Sequence, residues 1–225
     1  MRPSLWTGEL SPDLDIPSAE PAQSARVRVR AWNESALELS SEGTHYLLAY
    51  AGESALDRDG STYPFAAGMF ASVPSACVVS GAARRGSGLV ITHYGYRGLF
   101  QLGGPIEETG RLRYIDGCTD SLLLAPPVLG DPCVNHLHIP AGTSQSRHIH
   151  PSVRAGMIVR GEGVCITPDG ERPLHPGLAF VIPADLLHSF CTRDSSLDVV
   201  VYHPDSDTGP THEDHPMLNR TLLRK

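Results

Sequence analysis

The chain has 225 residues, 40% hydrophobic and 19% charged, which is enough apolar material for a sizeable core and excludes a disordered polymer. A net charge of −7 argues against nucleic acid as a main partner. No N-terminal apolar run has the form of a signal peptide and no segment is long enough to span a bilayer, so a cytoplasmic protein with no membrane partner is expected. The five cysteines (Cys77, Cys118, Cys133, Cys165, Cys191) form no Cys-x-x-Cys pair and are read as reduced, mostly buried thiols.

In chain order, residues 1–24 are rich in Pro, Ser and acidic groups and read as an extended leader. Arg26, Arg28 and Arg30 alternate with Val27 and Val29, the pattern of a strand with a solvated Arg face. Short apolar runs follow, among them Tyr46–Ala51, Met69–Val73, Gly88–Thr92, Cys133–Ile139, Ala179–Ile182 and Leu197–Tyr202, each broken by Gly, Pro, Asp or Ser. Runs of this length with β-branched residues predict strands, and no long segment has helical periodicity, so the expected class is all-β.

Sliding the chain by 109 residues places Gly52-Glu53 on Gly161-Glu162, Pro64 on Pro173, Gly68 on Gly177 and Pro74 on Pro183. These ungapped matches at turn-forming residues predict a duplication, with each unit one small barrel and the segment 98–131 joining them.

Chemistry is concentrated in the second unit. His148 and His150 lie at i and i+2, so on a strand they share a face, and His188 follows two turn signals and can fold back beside them. Three converging neutral imidazoles form a metal site with open positions. The repeat places Leu39, Ser41 and Val79 where His148, His150 and His188 stand, and His45 where Arg154 stands, so one site is expected, in the second unit. No nucleophile elbow, Gly-rich phosphate loop, zinc-finger spacing or dinucleotide fingerprint is present.

Two motifs resemble those of a known family. Gly142-x5-His148-x-His150-x3-Arg154-x6-Gly161 is similar to the first cupin motif, and Gly177-x5-Pro183-x4-His188 to the second. The resemblance is strong over residues 130–203 and weaker over 25–92. It implies two tandem cupin barrels of the double-stranded β-helix, or jelly-roll, type. The expected organisation is a leader over 1–24, a degenerate N-terminal barrel over 25–97, a connection over 98–131, a metal-binding barrel over 132–204 and a tail over 205–225.

The cupin pattern usually carries a metal-binding Glu where this chain has Arg154, and arginine has no lone pair to offer a metal. The resemblance therefore implies a three-histidine site, as in cupin dioxygenases acting on thiols, diketones or salicylate-like rings, or else a damaged one. The expected cofactor is a divalent ion, Fe(II) first, with Zn, Mn or Ni as alternatives. The expected substrate is a small anionic molecule undergoing dioxygenase-type oxidation. The rivals are a non-oxidative isomerase or lyase and a ligand-binding cupin without turnover. Arg154 reads as an anchor for the substrate's anion, or else as the partner of an acid such as Glu162 or Asp185.

Several further residues call for a reading. His136 and His138 share a face of the preceding strand and are secondary metal-ligand candidates. Gln145 is a candidate for reaching the site from the rim. His93, Tyr94 and Tyr96 read as packing between barrels, Phe180 and Phe190 as barrel core, and His203, His212 and His215 as surface residues of a polar tail. Exposed sheet edges make a homodimer the expected assembly.

Overall fold

The computed structural model describes residues 4–10, 13–16, 26–33, 35–81 and 85–224. The described residues are nearly all β, in four antiparallel sheets, with one short helix at Pro216–Asn219 and a 3-10 turn at Ile115–Gly117. No described helix is long and apolar enough to cross a membrane.

The first half builds a six-stranded sheet in the order Gln101–Gly103, Phe70–Val73, Gly43–Ala51, Ser87–Tyr94, Val27–Trp32, Asp13–Ile16. A four-stranded sheet faces it: Ala36–Leu39, Cys77–Ser80, Glu53–Arg58, Ser61–Ala66. The second half builds a seven-stranded sheet in the order Trp6–Gly8, Ala179–Ile182, Arg154–Gly161, Leu197–His203, Cys133–Ile139, Thr119–Leu124, Leu112–Arg113. Its facing sheet is Gly170–Leu174, Gly163–Thr167, Ser189–Cys191, widened by isolated bridges from Ser144 to Cys191 and from His148 to His188. The four central strands of the two large sheets follow one order, and Phe70–Val73 falls on Ala179–Ile182 at the 109-residue offset found in the sequence. The fold class read from the sequence, all-β jelly roll, is the one observed.

Period-2 alternation sorts the side chains into three cores. Trp32, Leu47, Leu56, Phe65, Val79 and Val90 fill the first barrel. Leu137, Ile158, Phe180, Ile182, Phe190 and Leu197 fill the second. The outward faces of the large sheets meet through Val27, Val29, Tyr46, Leu89 and Ile91 on one side and Val134, Met157, Val200 and Tyr202 on the other. Each large side chain buried there stabilises the fold by roughly 1.5–3 kcal/mol. Tyr46 and Tyr202 stack across this seam with ring centroids 4.9 Å apart, and His93 Nδ1 shares a 2.6 Å hydrogen bond with the Tyr202 hydroxyl. The five cysteines are free thiols, four of them buried.

Three expectations change. Val27 and Val29 face the seam, so Arg28 and Arg30 point the other way and are half-buried rather than solvated. The segment 98–131, read as a connection, supplies three strands: Gln101–Gly103 extends the first large sheet, while Leu112–Arg113 and Thr119–Leu124 extend the second. Part of the leader also pairs, since Trp6–Gly8 lies against Ala179–Val181 and Asp13–Ile16 against Val27–Arg30. Leader residues 1–3, 11–12 and 17–24 lie outside the described residues.

Candidate metal centre

The loop from Gly142 to Val153 crosses the mouth of the second barrel. His148 and His188 bind each other reciprocally through their backbones, N to O, at 2.9 and 3.0 Å. Directly opposed residues of an antiparallel pair project to the same face, so this bridge sets the two imidazoles side by side. His150, two residues on, completes the group. Ring centroids are 4.6 Å apart for His148–His188, 5.0 Å for His148–His150 and 5.2 Å for His150–His188. The three potential ligand atoms all lie within 4.8 Å of one another. Gly161, which ends the first motif, has a φ of +73°, and a Cβ there would lie 1.8 Å from the Ser196 carbonyl oxygen. The turn that returns the chain to the barrel therefore requires glycine.

His148 Nδ1 donates to the Ser146 carbonyl at 2.8 Å, and His188 Nδ1 donates to the Leu186 carbonyl at 2.8 Å. A carbonyl only accepts, so both rings carry their proton on Nδ1 and present the Nε2 lone pair, the arrangement that orients metal-binding histidines. Burial pushes His150 down to about 3, with the Arg154 guanidinium and the His188 and His148 rings adding to the effect. Burial likewise lowers His188 to about 4, against the hydrogen bond to Leu186. Three imidazoles with no carboxylate among them fit a divalent ion such as Fe(II), Zn or Mn.

The trio forms part of the wall of a cavity of about 240 Å³. That is the liquid volume of about eight waters, which suits a small molecule. Leu137, Phe180, Ile182, Phe190, Val199 and Val201 form its apolar wall, and Arg113, Tyr114, Asp120, Asn135, Arg154 and His203 contribute polar groups. Arg154 opens its strand and is buried. Its Nη1 donates to Ser152 Oγ at 2.6 Å and to the Ser152 and Val153 carbonyls at 3.2 and 3.1 Å. Its nearest acid is Asp205, 3.9 Å from Nη1, not Glu162 or Asp185. Nε is buried without an acceptor, and Nη2 has none among the described residues. Arg154 lines the cavity, and Nη2 is its guanidinium nitrogen left without a protein acceptor and not buried.

His136 and His138 do not join the trio. Asn135 takes the cavity face of their strand, so alternation turns the histidines to the other face. There His136 Nε2 and His138 Nδ1 lie 2.7 and 3.0 Å from Asp198 Oδ1, and Arg160 donates to the same carboxylate. Gln145 is buried and accepts from the Phe190 backbone N–H at 3.2 Å, so it braces the barrel rather than reaching in from the rim. Phe180 and Phe190 both fill the core and line the cavity. His203 lines the cavity instead of lying on the surface. Its alternation with Val199 and Val201 along one strand was the signal that could have found it. Tyr114 and Arg113 come from the presumed connection, where no periodicity marked them.

Burial holds five histidines below the ordinary imidazole value: His45, His93 (to about 4), His150 (to about 3), His188 (to about 4) and His203. Between about pH 6.5 and 4 the unfolded chain binds protons that the folded chain excludes. Their contribution to stability is therefore complete above about pH 6.5 and is lost as the pH falls toward 4. Thermal midpoints measured across this range should drop steeply on the acid side, and a flat profile would contradict the assignment.

Residues 135–203 match the family model of the cupin domain. A search of curated proteins gives no significant match. Solved structures give many. A cupin 2 conserved barrel domain protein from Leptotrichia buccalis superposes with a TM-score of 0.61 at 13% identity, covering 88% of each chain. A variant of salicylate 1,2-dioxygenase from Pseudoaminobacter salicylatoxidans gives 0.60 at 11% identity, over 79% of this chain and 69% of that one. Bacillus subtilis oxalate decarboxylase, described for its Mn(II) centres, gives 0.54 at 9% identity, over 91% and 78%. The chain thus has the cupin-type jelly-roll fold, with a three-histidine group of metal-binding character in its second half.

Proposed function

We propose that the chain is a metal-dependent enzyme built as two tandem cupin barrels, of which the first, over about residues 25–97, is degenerate and the second, over 132–204, binds the metal. The shared strand order of the two halves supports the duplication, and Leu39, Ser41 and Val79 at the positions of the three histidines support a first barrel without a site. The proposed reaction is the Fe(II)-dependent oxidation of a small organic anion by O2.

The observation that carries this reading is the convergence of His148, His150 and His188 on the wall of a cavity that Arg154 also lines. A bound ion would supply oxygen activation and Lewis acidity. The chain's own residues do the rest. The neutral ligand set leaves the ion's charge uncompensated, so an anion is attracted to it. Arg154, on the cavity wall, orients that anion through Nη2. The apolar wall excludes water, which strengthens both interactions. By its name, salicylate 1,2-dioxygenase acts on a small aromatic carboxylate, so such acids come first in a substrate screen.

The test is elemental analysis of protein purified with and without oxygen, followed by oxygen-uptake assays against small carboxylates, phenolic acids and thiols. Near-stoichiometric iron with substrate-dependent oxygen consumption is expected. Zn, Mn or Ni with turnover that needs no oxygen would move the assignment to an isomerase or lyase. Absence of metal under both conditions would leave a ligand-binding protein.

A further inference from the structure

We propose that His203 reads a second polar group on the substrate, so that the cavity takes a small carboxylate bearing a hydroxyl or oxo group close to the carboxylate. The inference rests on the reading of the cavity as the substrate site of a metal enzyme. It starts from strand register. Strand Arg154–Gly161 pairs with strand Leu197–His203 through Gly156↔Val201 and Ala155↔Tyr202. One step further along the same antiparallel ladder sets Arg154 opposite His203, and both side chains line the cavity. Directly opposed residues have Cβ atoms about 5 Å apart, close enough for one small ligand to touch both.

The two residues are complementary. Arg154 lines the cavity, is fixed by its Nη1 bonds and keeps Nη2 without a protein acceptor among the described residues, available to an anion. His203 has no hydrogen-bond partner among the described residues, while its strand neighbours Val199 and Val201 continue the cavity wall with nothing to offer a polar group. A neutral imidazole has one N–H and one lone pair, so it can donate to an oxo group or accept from a hydroxyl. Asn135 and Asp120, which also line the cavity, engage each other: Asn135 Nδ2 donates to both Asp120 oxygens, at 2.8 and 3.1 Å. A carboxylate held by Arg154 therefore has His203 as its neighbour, and a plain apolar acid would cover that imidazole without pairing it, which is unfavourable.

The experiment uses the metal-loaded full chain and two ligand pairs that differ by one hydroxyl: propionate against lactate, and benzoate against 2-hydroxybenzoate. Dissociation constants are measured by calorimetry for the native chain, His203→Phe, His203→Gln and Arg154→Leu, with metal content determined for each. A hydroxyl can also reach the metal directly, so the informative quantity is the change in hydroxyl preference between native and variant protein. His203→Phe should reduce the preference by about fivefold to tenfold at unchanged metal content. His203→Gln should restore much of it, and Arg154→Leu should weaken both members of a pair alike. A preference that stays within about twofold in His203→Phe overturns the inference and leaves the metal-enzyme reading standing. Failure of all four acids to bind the native chain overturns both.

Discussion

His188→Ala is expected to remove stoichiometric metal binding. His188 is 1% exposed, its Nδ1 is committed to the Leu186 carbonyl, and its backbone holds His148 in place. The alanine variant keeps that backbone bridge, so His148 and His150 remain positioned while the donor set falls from three to two. Losing even an outer partner of a metal ligand typically costs 10–100-fold in affinity. Losing the ligand itself is expected to cost at least about 100-fold, enough for dialysis to strip the ion. Metal per chain after dialysis, with circular dichroism to verify the fold, measures the effect. Undiminished metal content in a folded variant would place the ion elsewhere, and the functional proposal would fall with it.

The largest stability effect is expected on the face of the seven-stranded sheet that points away from the cavity. Asp198 is 3% exposed and accepts from His136, His138 and Arg160. Burial alone would raise its carboxyl, yet the hydrogen bonds from His136, His138 and Arg160 outweigh burial and hold it below the ordinary range. Arg160 also donates to the Glu107 carbonyl, which ties the cluster to the segment leading into Leu112 and Arg113. Asp198→Ala leaves the fully buried His136 without its acceptor and Arg160 without its counter-charge. Breaking a buried charged network from one side typically destabilises by about 3–5 kcal/mol. A fall of that size in urea-unfolding stability is expected, with metal content unchanged in the folded fraction because the carboxylate faces away from the trio. A loss below about 1 kcal/mol would mean that the cluster is solvated in solution.

Much of this was legible in the sequence. Strand class and repeat could be read because turn glycines and prolines have fixed conformational requirements, and these survive where side-chain chemistry has changed. Gly52 and Gly161, 109 residues apart in the sequence, both adopt positive φ. The trio was legible because i, i+2 spacing and a return strand fix its faces. The facing of His136 and His138 was not, since alternation gives two faces without saying which is inward, and the opposing pair Asn135 and Leu137 is itself of mixed polarity. His203 was misassigned because it ends its strand at the edge of a polar tail, where composition outweighed periodicity. The shortest strands, Trp6–Gly8 and Leu112–Arg113, carry too few residues for any period to appear and exist through pairing alone.

The pairing of Trp6–Gly8 with Ala179–Val181 constrains the order of assembly. Asp13–Ile16, a few residues on, pairs within the first half, so a single short ribbon belongs to both sheets. During synthesis Trp6–Gly8 leaves the ribosome long before its partner strand Ala179–Ile182 emerges. The first half can form its own sheets in that interval, whereas the outer edge of the second sheet closes only at the end, across a long loop whose closure is entropically slow. A bulky fusion placed directly before Trp6 would thus act on the last step of folding, and on the strand flanking Ala179–Ile182, which contributes Phe180 and Ile182 to the cavity wall.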